Sequence, residues 1–366
     1  MAESVRQSID ISSLERYLNQ FVREIKTPLD VKQFTFGQSN PTYLLTAIDE
    51  KQYVLRKKPP GQLPPQTHLI EREYAMIQYL QGTDVPVPKA YWLCREESII
   101  GTPFFIMEFL EGRIFTDSTM PGVSPGDRTA LWREAVRTLA KIHRIDLSAA
   151  RQLEVGNPTK YYNRQISIFM SLSKAQSSVV DLKTKEKIGE VPYLDKMVHF
   201  FSKKAYQPRD RSTIVHGDYK IDNLIFHNSE PRIIGVLDWE MATIGNPLSD
   251  FCNLTHPYFW GGLKQNVELF RPGRMIGLPT RETCTHWYAE DAGWDPTADL
   301  PWGDAFFAFR TTSVLQSIKA RYVQGHTSGD TAAYYASRVD ESAFDAWELV
   351  NKVIKAQKNP VLESKL

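Results

Sequence analysis

The stretch Ile214–Phe226, IVHGDYKIDNLIF, holds His216, Asp218, Lys220 and Asn223 between two apolar runs. Apolar runs of this kind go to a core, so the loop between them carries polar groups on a rigid support. Asp218 is a carboxylate that can accept a proton from a hydroxyl. Asn223, five residues on, and Asp238, in Asp238-Trp239-Glu240, supply amide and carboxylate oxygens of the type that hold a hard divalent cation. Lys220 reads two ways, as a solvated charge or as a cation beside a transferred anionic group. His216 is read as orienting the loop by hydrogen bonds, and Asp250 as bracing it from a helix start. Any one of these alone is an ordinary cap or turn residue; their order and spacing point to chemistry.

Several elements must position these residues. Ser12 and Glu15 have capping-box spacing before an amphipathic helix with Leu14, Leu18, Phe21, Val22 and Ile25 on one face. Alternating segments Val31–Phe36, Tyr43–Ala47 and Gln52–Arg56 read as antiparallel strands. A helix over 66–81 follows a Pro/Gly-rich loop, and Ala90–Cys94 and Pro103–Phe109 complete a small sheet-rich lobe. Period-2 alternation puts Val54 and Arg56 on one strand face and turns Lys57 and Lys58 away as solvated charges. Beyond Gly112, Ser124, Pro125 and Asp127 open a helix to about Ile145, with His143 packed or capping at its end. Helical patterns then dominate, apart from strand-like Thr213–Val215 and Ile233–Leu237. The polar stretch Ser171–Gly189 reads as a surface excursion, and Lys355–Pro360 as a flexible run.

The chain has 366 residues, 42% hydrophobic and 24% charged, with a formal net charge of +1. That balance gives no basic face for nucleic acid, and no apolar run approaches the roughly 18 residues of a membrane helix. Cys94, Cys252 and Cys284 lie too far apart for a disulfide framework or a zinc site. The N-terminus has no secretory pattern. The sequence closes on Ser364-Lys365-Leu366, a tripeptide read by the peroxisomal import receptor, so a peroxisomal location is expected.

His216-Gly217-Asp218 and Asn223, with Asp238 fifteen residues further, match the spacing of a kinase catalytic loop and its second metal-binding acid. In VHGDYKIDNLIF and GVLDWEMATIGNPLSD the chain resembles the aminoglycoside phosphotransferase-like kinases, a group that includes choline kinases. The resemblance runs from about Phe34 to Arg321. YVLRKKPPG (Tyr53–Gly61) and PFFIMEFLEG (Pro103–Gly112) are most similar to the branch linked to acyl-CoA dehydrogenases.

This resemblance implies an α+β, two-lobed protein-kinase-like fold, with a small antiparallel-sheet N-lobe and a larger, mainly helical C-lobe. The expected division is 1–109 with a hinge at Met107–Phe109, 110–363, and the targeting tail 364–366. It implies ATP and Mg²⁺ and transfer of the γ-phosphoryl group to a hydroxyl. Asp218 and Lys220 would serve catalysis, and Asn223 and Asp238 the metal. Gly37, Gln38, Ser39 and Asn40 would cover the phosphates, although a full G-x-G-x-x-G is missing. Arg56 stands where protein kinases carry lysine; Glu71 and Glu73 are both candidate partners for it, and the Arg72-Glu73-Tyr74 run favours Glu73. Met107 and Phe109 would face adenine. The acceptor is open: a hydroxyacyl-CoA or hydroxy acid, or a choline- or homoserine-type alcohol. A pseudokinase or nucleotide-binding scaffold is the alternative class.

Overall fold

The computed structural model describes residues 2–3, 9–34, 40–59, 70–150, 159–260, 267–325 and 330–358. By contacts the chain forms two units: 1–115 with 145–155 and 216–243, and 116–144 with 156–215 and 244–366. The stretch 216–243, assigned to the helical lobe from sequence, thus groups with the N-terminal sheet.

In the first unit, Ala2–Glu3 (β1), Leu29–Phe34 (β2), Thr42–Ala47 (β3), Gln52–Lys57 (β4), Ala90–Cys94 (β5) and Phe104–Glu108 (β6) make one sheet. Its order is β1-β2-β3-β4-β6-β5 and its pairs are antiparallel. Tyr43, Leu45, Tyr53, Leu55, Phe104 and Ile106 share a core with Leu14, Leu18, Val22 and Ile25. The latter belong to, or directly follow, helix Ile11–Phe21 (α1). The expected capping box is replaced: Asp10 caps α1 by accepting from Ser13 N at 2.9 Å, and Glu15 instead accepts from Leu29 N at 2.7 Å. Phe21, expected on the buried face, is exposed.

β4 is the central strand, buried from Tyr53 to Lys57. Lys57 is therefore not the solvated charge expected: it lies over the Tyr43 ring, 5.7 Å from its centroid, and burial lowers its pKa. Helix Ile70–Leu80 (α2) buries Ile70, Glu73, Met76, Ile77 and Leu80. Residues 66–69 of the expected helix, and 35–36 of the expected strand, lie outside the described residues.

In the second unit, helix Pro125–His143 starts as expected, Ser124 Oγ accepting from Asp127 N at 3.2 Å. The long helix Leu300–Val323 is buried nearly all round, among aromatic residues such as Phe201, Trp260, Trp302 and Phe306. The stretch Ser171–Gly189 corrects the sequence reading, because helix Tyr161–Ser177 takes its first third. Ser173 Oγ donates to Gln316 Oε1 at 2.6 Å and Gln176 Nε2 to Ser317 Oγ at 2.7 Å, so polar residues here join helices. Lys355–Pro360 is also corrected, since helix Val339–Lys358 runs through Lys358. No described helix is long and apolar enough to cross a membrane.

Candidate active site

A β-hairpin carries the centre of the site. Leu224–Phe226 pairs antiparallel with Ile233–Val236, and Leu237 N donates to Asn223 O at 2.9 Å. The chain reaches this hairpin through His216-Gly217-Asp218. Gly217 has φ +86°, and a Cβ there would meet Met241 O at 2.7 Å, so only glycine makes this turn without strain.

His216 is fully buried. Asp218 N donates to His216 Nδ1 at 3.1 Å, so Nδ1 is an acceptor and Nε2 carries the proton it donates to Leu237 O at 2.9 Å. The imidazole is thus a neutral brace between the Asp218 turn and the Asp238 loop, the orienting role expected of it. Asn223 Nδ2 donates to Asp218 O at 2.8 Å and Asp218 Oδ2 at 3.0 Å. Lys220 Nζ lies 3.4 Å from both Asp218 Oδ2 and Asp222 Oδ2. Burial works against the Lys220 ammonium, but these carboxylates outweigh it and hold its pKa above the ordinary lysine value. It is a paired charge beside Asp218 rather than a freely solvated one.

The second cluster centres on Arg56. Its NH1 donates to Glu73 Oε1 at 2.6 Å; its NH2 donates to Asp238 Oδ1 at 2.6 Å and Glu240 Oε2 at 3.3 Å. Strand alternation separates Arg56 from the core face that carries Tyr53 and Leu55, and α2 presents Glu73, wholly buried, to meet it. Glu73 is the partner, Glu71 being on the outer side. The signal was in the sequence: Glu73 falls three residues after Ile70 and four before Ile77, on the helix's apolar stripe.

Burial pushes Glu73 up to about 8, against the pull of Arg56. Burial opposes the charge on Arg56 too, but Glu73, Asp238 and Glu240 together raise its pKa. A guanidinium stays protonated in any case, so Arg56 is the fixed charge, shared among three carboxyl groups. Asp238, which burial alone would raise, is held below the ordinary carboxylate range chiefly by Arg56. Asp238 adopts φ +69°, a left-handed conformation that aspartate tolerates and that accumulates at functional loops.

Asn40 is fully buried and its Nδ2 donates to Glu240 Oε2 at 2.7 Å. Gly37, Gln38 and Ser39 lie outside the described residues. Met107 is the fourth residue of β6 and pairs with Val54; Phe109 follows the strand end. Glu240, which sequence reading left without a role, is the residue missed; it is two positions from Asp238 in the same turn.

Asn223 and Asp238 offer an amide and a carboxylate, a hard oxygen set that fits Mg²⁺. That ion takes one or two carboxylates and completes its octahedron with phosphate and water oxygens. Among the described residues no three His, Cys, Asp or Glu side chains gather for a metal.

In the second unit, Tyr288 OH lies 2.6 Å from His143 Nδ1, and His143 Nε2 3.3 Å from Asp250 Oδ2. Burial raises the Tyr288 pKa well above normal, so the phenol is the donor and Nε2–H faces Asp250. His143 is thus a packed histidine, and Asp250, in the first turn of helix Leu248–Thr255, is its buried partner.

Fold and site together define a kinase-like phosphotransferase framework. The profile of the phosphotransferase enzyme family matches residues 30–279, and the chain belongs to that family. It is similar to acyl-CoA dehydrogenase family member 11 of Rattus norvegicus, 35% identical over 360 residues, 95% of this chain and 44% of the relative. The chain therefore spans less than half the length of that relative. A crystal structure provisionally described as an aminoglycoside phosphotransferase from Ralstonia eutropha JMP134 superposes with TM-score 0.79. It is 35% identical, with 94% of this chain and 99% of that one covered. An ethanolamine kinase of Plasmodium vivax, 16% identical, shares the fold alone (TM-score 0.59, 89% and 85% covered).

Proposed function

We propose that the protein transfers the γ-phosphoryl group of ATP, with Mg²⁺, to a hydroxyl on a small molecule. The observation that carries this reading is the Arg56 guanidinium held 2.6 Å from both Glu73 and Asp238, in the unit that also ties Asp218 to Asn223. Arg56, braced by Glu73, neutralises the phosphates, and Asn40 is assigned to cover them, the role that the family resemblance also gives to Gly37, Gln38 and Ser39. Met107 and Phe109 face adenine. Asn223 and Asp238 hold the metal, which supplies charge neutralisation on the phosphates. Asp218 accepts the acceptor's hydroxyl proton as that oxygen bonds to the γ-phosphorus and the bond to the β–γ bridging oxygen breaks, releasing ADP. Lys220, kept charged by Asp218 and Asp222, stands beside the transferred group. Most of this is positioning and electrostatics.

For the acceptor, two indications agree. The name of the rat relative refers to acyl-CoA, and Ser364-Lys365-Leu366 is a peroxisomal address. We infer a hydroxyacyl-CoA, or the matching hydroxy acid, phosphorylated on its hydroxyl, in peroxisomes. The purified protein is expected to consume ATP faster with a medium-chain hydroxyacyl-CoA than with choline, homoserine or an aminoglycoside. Equal or better rates with any of those three would overturn the acyl-CoA assignment. ATP binding without turnover on any acceptor would identify a nucleotide-binding scaffold. Deleting 364–366 from a tagged protein is expected to move it from peroxisomes to cytosol.

The metal assignment has its own test. Asp238→Ala removes the charged ligand of the proposed pair, and calorimetry is expected to show that Mg²⁺ no longer strengthens ATP binding. An Mg²⁺-dependent affinity equal to wild type counts against Asp238 as a ligand.

A further inference from the structure

We propose that Glu240 is a positioning residue that keeps Arg56 aligned for nucleotide when Asp238 turns its charge to the metal, and ties Asn40 to the same point. This rests on the nucleotide reading above.

Glu240 Oε2 is a shared acceptor, 2.7 Å from Asn40 Nδ2 and 3.3 Å from Arg56 NH2. Asn40 is wholly buried and opens the approach to β3, where Thr42 Oγ1 donates to Asn40 O at 3.0 Å. One carboxylate oxygen therefore joins the entry to β3, the β4 cation and the loop carrying Asp238. The turn Trp239–Met241 that presents Glu240 is itself fixed. Trp239 Nε1 donates to Val236 O at 2.9 Å, Arg72 NH2 to Ala242 O at 3.3 Å, and the Trp239 ring lies 4.5 Å from His216. These contacts fix the backbone that presents Glu240 beside Arg56.

The need for such a residue follows from charge. Arg56 is shared by Glu73, Asp238 and Glu240. A metal ion that draws on Asp238 weakens one of those three pairs. Glu73 holds NH1 only, so Glu240 is what remains to orient NH2. Because Asn40 hangs on the same oxygen, the polypeptide edge expected to cover the phosphates and the cation expected to bind them move together.

The test reads ADP binding with and without Mg²⁺ and steady-state kinetics. In EDTA Asp238 still holds Arg56 NH2, so Glu240→Ala is expected to change ADP binding by no more than about twofold. With saturating Mg²⁺, loss of the remaining charge-assisted hydrogen bond on NH2 is expected to weaken ADP binding about tenfold and to raise KM for ATP similarly. The kcat at saturating ATP and the Mg²⁺ concentration for half-maximal rate are expected to stay within about twofold. Glu240→Gln, which keeps an acceptor oxygen, is expected to recover most of the affinity. It also serves if the alanine variant fails to fold. Asn40→Ala is expected to weaken binding in wild type but to add little in Glu240→Ala, the non-additivity of a shared contact. The role is overturned if ADP affinity with saturating Mg²⁺ is unchanged in Glu240→Ala, if the Mg²⁺ requirement rises, which marks a metal ligand, or if the Asn40 and Glu240 effects add. Failure of the wild type to bind ADP would instead overturn the nucleotide reading and this role with it. A double-mutant cycle in thermal stability, run without nucleotide, still reports whether the Asn40–Glu240 link is real.

Discussion

Asp218→Asn is expected to lower turnover by about 10²–10⁴-fold while leaving the fold and nucleotide affinity near wild type. The isosteric amide can still accept from Asn223 Nδ2, which now lies 3.0 Å from Asp218 Oδ2, so the loop keeps its shape. Lys220 keeps Asp222 at 3.4 Å. What disappears is the basic oxygen: a neutral amide takes no proton from the attacking hydroxyl. Initial rates with the true acceptor, a melting curve and calorimetry with ATP separate the three quantities. Turnover near wild type would remove Asp218 from the role of base, and a collapsed melting curve would make it structural.

The largest expected effect on stability is that of Arg56→Ala. This change leaves Glu73 wholly buried and Asp238 and Glu240 close by, three carboxyl groups with their common cation gone. Removing one partner of a buried pair costs about 3–5 kcal/mol. Here Asp238 and Glu240 lose their cation, and Glu73 is left as a buried, protonated carboxyl without its partner. Arg56→Met with Glu73→Leu is expected to be more stable than Arg56→Met alone, since it also removes the stranded buried carboxyl.

The pH dependence has a definite sign. Glu73, raised to about 8, holds in the folded state a proton that the unfolded chain has released above its ordinary value of 4.5. Its contribution is therefore fully present below pH 4.5 and is lost as pH rises through about 8. Denaturant melts across that window check both points; they should be fitted unit by unit, since two compact units need not unfold as one. A single variant as stable as its double would show that Glu73 is not stranded by the loss of Arg56.

Much of the site was legible in the one-dimensional pattern. The spacing of His216, Asp218, Asn223 and Asp238 is local, and a hairpin with a short turn converts it directly into geometry. Alternation along β4 separated Arg56 from the core face because side chains on a strand repeat every two residues. The same rule failed at Lys57. It assigns a face but not whether that face meets water, and as the central strand β4 is covered on both sides. The capping box at Ser12 failed because Asp10, two residues earlier, is the better-placed acceptor for the first turn.

By itself the sequence determined the elements of the sheet-rich and helical parts and the order of Asp218, Asn223 and Asp238, because periodicity and close spacing depend on neighbours in the chain. Through the family resemblance it also carried the expectation of the fold class. Tertiary structure decided which charges meet. Arg56 and Asp238 are 182 positions apart and Asn40 and Glu240 200 apart, yet each pair is in hydrogen-bond contact. Ser173 and Gln176, polar in composition, became contacts between helices for the same reason. No periodicity encodes such encounters. They follow from burying the apolar faces of distant segments, which leaves the polar groups on those segments to be satisfied by whatever the packing brings near.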